Sequence, residues 1–125
     1  MRKRRLAAVH LTEEALLDIV VIAEWSSVTF WEAAALRYIR LIEQAIDDLE
    51  ENPERPGSQP RPELLAAGAH AYQLCFSRNR ARGISVKEPR HLLLYRRRED
   101  GALEIARVIH EARGLRRHLP ENYLR

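Results

Sequence analysis

The sequence has 125 residues, of which 46% are hydrophobic and 31% are charged, and its formal net charge is +3. This composition supports the core of one domain and excludes a disordered or fibrous chain. The longest apolar run covers residues 19–23, far below the length of a membrane span. We therefore expect a single soluble domain over residues 1–125. Because the basic N-terminus lacks an apolar signal core and Cys75 is the only cysteine, we expect a cytoplasmic protein without disulfides.

The charge is distributed unevenly along the chain. Residues 1–63 carry a net charge of −4, whereas residues 64–125 carry +7. A basic half of this kind favours an acidic partner, such as nucleic acid, a protein that handles nucleic acid, or an acidic protein. A solvated basic face without a partner is the alternative.

The first elements predicted along the chain are a strand and a helix. Residues 4–11 alternate loosely, which predicts a β-strand. Thr12 is a candidate N-cap for a helix that runs to about Ser26. Its predicted buried stripe consists of Leu16, Ile19, Val20, Ala23 and Ser27. The helix is apolar on a further face, which requires a second covering surface. The residues of that further face are Leu17, Val21, Ile22 and Trp25.

A second helix is predicted from Thr29, which forms a capping-box pattern with Glu32, to Glu51. The following Asn52-Pro53 ends it. Its predicted buried stripe consists of Ala35, Tyr38, Ile39, Ile42, Ala45, Ile46 and Leu49. The prolines and the glycine between residues 53 and 62 predict a surface connection without regular structure.

The rest of the chain predicts three strands and a short closing helix rich in cations. The strands cover residues 71–76, 91–97 and 103–110, with a turn at residues 99–101. Residues 77–90 form a long, basic connection that is either functional or mobile. The order β-α-α-β-β-β-α predicts an α+β fold, in which a helical hairpin packs on a mostly antiparallel sheet.

Three segments carry a resemblance to a known family. They read EQAIDDLEENP at residues 43–53, RHLLLYR at residues 90–96, and RVIH at residues 107–110 with RRHL at residues 116–119. With this order of elements, nearly the whole chain resembles the RelE/ParE superfamily of toxins from type II toxin-antitoxin systems, in its ParE branch. The length of the segment at residues 77–90 departs from many members.

The resemblance implies a toxin that a cognate antitoxin neutralises in a hetero-oligomer, with a role in plasmid or chromosome stabilisation or in stress responses. ParE-like toxins act on DNA gyrase, which implies that this chain binds and traps the gyrase-DNA cleavage complex without a cofactor. RelE-like relatives cut mRNA on the ribosome, and this activity is the alternative. A non-toxic module that only binds antitoxin is a third interpretation.

The basic C-terminal part is the predicted target-binding surface, with Arg107, His110, Arg113, Arg116, Arg117 and His118. An accessory basic loop would contain Arg78, Arg80 and Arg82. The predicted antitoxin contact consists of Leu17, Val21 and Trp25, unless these side chains pack in the core.

Arg107 has a structural alternative, because it shares a strand face with the apolar Leu103, Ile105 and Ile109. In that case it would reach the sheet edge or pair with Glu32 or Glu43.

RNA cleavage would need groups that transfer protons and cations that hold the phosphate. The candidates are His110, His118, Tyr95 and Tyr123 for protons, and Arg78, Arg80, Arg107 and Arg113 for the phosphate. RelE-like nucleases resemble one another in an active site rich in lysine and arginine, whereas this chain has only Lys3 and Lys87. Histidine spacing predicts no metal site, and Cys75 is predicted to be a core residue in a strand. The sequence therefore favours binding over catalysis.

Overall fold

The computed structural model describes residues 9–61, 68–79, 86 and 88–111. Within these ranges the elements are β1 (Val9–Leu11), α1 (Glu13–Phe30), α2 (Glu32–Glu51), β2 (Ser58–Pro60), β3 (Ala69–Gln73), a 3-10 helix (Leu74–Ser77), β4 (His91–Arg97) and β5 (Leu103–His110). The predicted closing helix and half of the predicted basic connection at residues 77–90 lie outside the described residues.

The strands form one sheet in the order β1-β5-β4-β3-β2. β1 and β5 are parallel, and the other pairs are antiparallel. The helical hairpin packs on this sheet through core residues of α1, α2, β3, β4 and β5. The structure thus confirms the predicted α+β architecture.

The prediction of no regular structure between residues 53 and 62 is wrong, because β2 lies there. Its register aligns Ser58 with Tyr72 and Pro60 with His70 of β3. Proline is tolerated in a strand at the edge of a sheet, where its missing N–H is not needed by an inner neighbour. The proline-rich composition therefore hid an edge strand.

The junction between the two helices also differs from the prediction. Helix α1 continues through Thr29 to Phe30, so Thr29 does not cap α2. Trp31 alone joins the helices, with φ of 106°, and its N–H donates to the Ser27 carbonyl oxygen at 3.0 Å. At the other end of α1 the predicted cap is confirmed, since Thr12 Oγ1 accepts from the Ala15 N–H at 3.0 Å.

The buried face of α1 was predicted wrongly, whereas that of α2 was predicted well. In α1 the buried residues are Ala15, Ile22 and Ser26, while Leu16 and Val20 are 52% and 51% exposed. Apolar side chains nearly surround α1, so its periodicity cannot select one face. In α2 the buried residues are Ala35, Leu41, Ile42, Ala45, Asp48 and Leu49, which include four of the predicted stripe.

A buried polar cluster fixes the end of α2 against the 3-10 helix. Ser77 Oγ lies 2.6 Å from Asp48 Oδ2 and 2.7 Å from the Tyr72 hydroxyl. Arg55 Nη1 pairs with the same Asp48 oxygen at 2.9 Å. This cluster favours a turn after Gln73, so the strand predicted to reach residue 76 ends at Gln73. Cys75 therefore lies in the 3-10 helix and not in a strand, and it is half-buried rather than in the core.

Candidate functional site

The site begins at the end of β5, where this strand continues beyond its partner β1. The register between β1 and β5 stops at Leu11 and Ile105, so one edge of β5 is left without a strand partner after that point. Helix α1 covers this edge. The Val108 N–H donates to Asp18 Oδ2 at 2.9 Å, and Thr12 Oγ1 donates to the Ala106 carbonyl oxygen at 2.8 Å.

Arg107 binds the same carboxylate in a two-pronged contact. Its Nε lies 2.7 Å from Asp18 Oδ2 and its Nη2 lies 2.8 Å from Oδ1. The side chains are only 19% and 15% exposed. These hydrogen bonds to Asp18 outweigh burial and raise the pKa of Arg107. The prediction named the wrong carboxylates, Glu32 and Glu43, because sequence does not show that α1 lies over the end of β5.

A β-bulge explains why Arg107 leaves the apolar row in which it was predicted. Leu94 aligns with Arg107 whereas Tyr95 aligns with Ile105, so Ala106 is the extra residue. The bulge shifts the alternation of side chains, and both Ile105 and Val108 therefore face the core. Arg107 is directed towards α1 instead.

A second group of polar side chains lies beside this pair. The Tyr38 hydroxyl is 2.7 Å from His91 Nδ1 and accepts from the Arg90 N–H at 3.1 Å. The His91 and His110 rings meet edge to face, with centroids 5.2 Å apart, because the two residues are directly paired across β4 and β5. Burial raises the pKa of Tyr38 to about 12, so its hydroxyl stays protonated.

This group lines a cavity of about 540 Å³ between the tip of the helical hairpin and the ends of β4 and β5. Trp25 and Phe30 form its apolar wall, with ring centroids 5.4 Å apart. Arg37 and Arg90 add positive charge. A neighbouring cavity of about 460 Å³ shares Trp25, His91 and His110 with it and reaches the Arg107 and Asp18 pair. The two cavities therefore adjoin, and together we call them the groove. We call the first of them the histidine cavity.

The three predicted antitoxin contacts lie on the exposed side of α1. Leu17 and Val21 are each 61% exposed, and Trp25 is 56% exposed. The alternative that they pack in the core is therefore wrong. Leu16 and Val20 extend the same apolar surface, and we call these five residues the α1 apolar face.

The remaining candidates divide into three groups. His110 and Arg78 are exposed, at the end of β5 and after the 3-10 helix respectively. Tyr95 is 1% exposed and its hydroxyl donates to the Pro53 carbonyl oxygen at 2.6 Å, which removes it as a catalytic proton donor. The other predicted basic and proton-transfer residues lie outside the described residues, namely Arg80, Arg82, Arg113, Arg116, Arg117, His118 and Tyr123.

Sequence reasoning missed three members of the site. Asp18 was not singled out from the sequence, and Tyr38 was assigned only to the core stripe of α2. His91 stood within the RHLLLYR motif, but its spacing to Tyr38 in sequence gave no sign of their contact. Within the described part of the chain, no three side chains of histidine, cysteine, aspartate or glutamate are grouped as metal ligands. No described helix is long and apolar enough to span a membrane.

The fold, with a helical hairpin on a five-stranded and mostly antiparallel sheet, is that of the RelE/ParE class of toxins. The family model of the ParE toxin of the type II toxin-antitoxin system, parDE, matches residues 9–115. The chain therefore belongs to the ParE toxin family, as the sequence motifs predicted.

Comparison of structures agrees on the fold. A solved structure of the chromosomal ParDE TA system from P. aeruginosa matches with a TM-score of 0.61 and 13% sequence identity. The match covers 83% of this chain and 95% of that chain. No curated protein sequence matches this chain.

Proposed function

We propose that this ParE-family chain is a cytoplasmic toxin that inhibits bacterial DNA gyrase by binding the gyrase-DNA cleavage complex, and that a cognate antitoxin neutralises it. The single observation that carries the proposal is the match of residues 9–115 to the ParE toxin family. The basic half of the chain supports contact with a target that holds DNA, because a net charge of +7 over residues 64–125 attracts a negative surface.

The α1 apolar face supports the antitoxin part of the proposal. A stable monomer gains nothing from five large apolar side chains that are half-exposed on one helix, whereas a partner helix would bury them. The neighbouring groove continues this surface to the Arg107 and Asp18 pair. The antitoxin would therefore bind α1 through an apolar helix face.

The mechanism would be poisoning of an enzyme rather than turnover of a substrate. A toxin that binds the cleaved gyrase-DNA state more tightly than the resealed state shifts the population towards cleavage. A difference of about 1.4 kcal/mol in binding free energy shifts that equilibrium tenfold. The basic residues after β5, Arg113, Arg116 and Arg117, are the proposed contacts.

The test of the gyrase proposal uses purified toxin, gyrase, ATP and supercoiled plasmid, followed by denaturation and electrophoresis. We expect linear plasmid from trapped double-strand breaks. Changing Arg113, Arg116 and Arg117 together to Ala should abolish the breaks. The matched control is Arg40→Ala, which removes an exposed arginine of α2 that does not line the groove, and it should leave the breaks unchanged. Intact plasmid with normal supercoiling would contradict the proposal and make ribosome-dependent mRNA cleavage the leading function.

The antitoxin proposal is tested with the product of a short reading frame that overlaps or precedes the toxin gene, where one is found. Leu17→Ser combined with Val21→Ser should weaken the complex at least 100-fold, because both side chains lie at the centre of the α1 apolar face. Leu36→Ser is the matched control, since Leu36 is 66% exposed but belongs to α2. Equal affinities for the two variants, measured by calorimetry, would contradict this placement of the antitoxin. A chain that binds antitoxin but shows neither gyrase inhibition nor mRNA cleavage would instead be the non-toxic module.

A further inference from the structure

The lining of the histidine cavity is mostly apolar, but it contains a few charged and polar groups that gyrase binding does not explain. Among these groups, hydrogen-bond donors outnumber acceptors. Arg37 and Arg90 contribute guanidinium groups, and Glu88 contributes the single carboxylate of the lining. The ion pair of Glu88 with Arg90 is 2.9 Å long, but its side chains are 73% and 61% exposed. Such a pair is weak, so the Arg90 guanidinium can turn towards a ligand without a large loss.

The hydrogen bonds of Tyr38 hold the His91 ring in the wall of the cavity. The Tyr38 oxygen accepts from the Arg90 N–H and shares a hydrogen bond of 2.7 Å with His91 Nδ1. His110 also lines the cavity and lies beside His91, at a centroid distance of 5.2 Å.

The opposite wall of the cavity is aromatic. Trp25 is 56% exposed and stands perpendicular to Phe30, with an interplanar angle of 76°. Ala34 and Val86 complete an apolar lining. A flat ring could stack on Trp25, since every nucleobase has a π-face that binds an aromatic side chain.

We propose that the histidine cavity binds a nucleoside monophosphate unit, with the base against Trp25 and the phosphate at Arg37 and Arg90. Arginine binds phosphate in a planar, two-pronged geometry. The volume of about 540 Å³ is within the range of small-molecule sites and is far larger than one carboxylate needs. The unit could be a free nucleotide or one nucleotide of a single strand. The site does not depend on gyrase binding.

The experiment follows the fluorescence of Trp25. The chain has two tryptophans, and Trp31→Phe removes the other one at a position that is 80% exposed. The four ribonucleoside monophosphates, adenosine, inorganic phosphate and a five-nucleotide RNA are each titrated into this variant. We expect saturable quenching by at least one monophosphate, and quenching at least about tenfold weaker with adenosine or phosphate alone. Calorimetry of the unchanged chain with the same ligands provides a second readout that needs no substitution.

Matched variants on one helix locate the site. Arg37→Gln removes a cavity arginine, while Arg40→Gln removes an exposed arginine one turn along α2 that does not line the cavity. We expect the affinity to fall at least about tenfold for Arg37→Gln and to stay unchanged for Arg40→Gln. Circular dichroism and the melting temperature confirm that both variants fold. Glu88→Gln should strengthen binding, because it removes the competing carboxylate.

The outcomes of these titrations distinguish a free nucleotide from a nucleotide within a strand, and they also decide whether the proposal stands. RNA that binds at least about tenfold more tightly than any monophosphate, with the same sensitivity to Arg37→Gln, identifies a strand as the ligand. Equal affinities identify a free nucleotide. No saturable signal by either method would overturn the proposal, as would equal losses in Arg37→Gln and Arg40→Gln. If an acidic peptide binds more tightly than every nucleotide, the cavity belongs to a protein partner and the proposal is also wrong. Gyrase poisoning is measured in the separate plasmid cleavage assay, so a positive or a negative nucleotide-binding result does not decide the gyrase proposal.

Discussion

Arg107→Ala should destabilise the protein substantially, whatever its effect on toxicity. The residue makes two charge-assisted hydrogen bonds of 2.7 and 2.8 Å to Asp18. Removing one partner of such a pair leaves a desolvated carboxylate, which costs about 3–5 kcal/mol when burial is complete. The two side chains are 19% and 15% exposed, and the Val108 N–H still satisfies part of the carboxylate. We therefore expect a loss of about 2–4 kcal/mol in the free energy of unfolding.

The loss is measured as a change in melting temperature and in the urea midpoint. For a domain of this size about 1 kcal/mol corresponds to roughly 4 °C, so the melting temperature should fall by roughly 10 °C. Arg40→Ala is the matched control, because it removes an exposed arginine, and it should change stability by less than about 0.5 kcal/mol. The raised pKa of Arg107 means that this contribution is present below the pKa of an unfolded arginine and is lost only as the pH rises through the folded pKa.

A double-mutant cycle assigns the loss to the pair. Asp18→Ala and Arg107→Ala together should cost about 2 kcal/mol less than the sum of the single changes. Additive losses, or a melting temperature of Arg107→Ala equal to that of the unchanged chain, would refute the reasoning. The practical consequence concerns toxicity assays, since a loss of toxicity in Arg107→Ala identifies a target contact only if the variant remains folded.

Three further outcomes are expected. Ser77→Ala should cost about 1–2 kcal/mol in urea denaturation, because it leaves buried Asp48 without a hydroxyl donor at 2.6 Å; an unchanged midpoint would contradict the buried cluster. Burial raises the pKa of Tyr95 from 10.0 to about 12, so its contribution is intact below pH 10 and declines by about 2 kcal/mol as the pH rises towards 12. Tyr95→Phe should flatten that decline in pH-dependent unfolding. Trp31→Gly should raise the melting temperature by a few degrees, since φ of 106° strains any residue with a side chain by about 1–2 kcal/mol. A melting temperature below that of the unchanged chain would show instead that the Trp31 ring stabilises the hairpin.

The sequence by itself determined the elements whose signal is local. β4 and β5 were predicted with their observed bounds, because β4 contains a short continuous apolar run, β5 alternates, and Gly101, with φ of 90°, ends the turn between them. The start of α1 was predicted from Thr12, because an N-cap hydrogen bond involves only the residues of the first helical turn. The buried stripe of α2 followed from a single apolar face. The family motifs depend on the same local patterns.

The tertiary structure alone decided which residues meet. Asp18 and Arg107 are 89 positions apart, and Tyr38 and His91 are 53 apart, so no periodicity relates them. The bulge at Ala106 turned Arg107 out of its predicted row, because an extra residue in one strand reverses the alternation that follows. For α1, whose apolar residues nearly surround the helix, packing against α2 and β5 selected Ile22 for the core and left Leu17 exposed. Local pattern thus fixes the kind of each element, whereas contacts across the sheet and the hairpin fix the site.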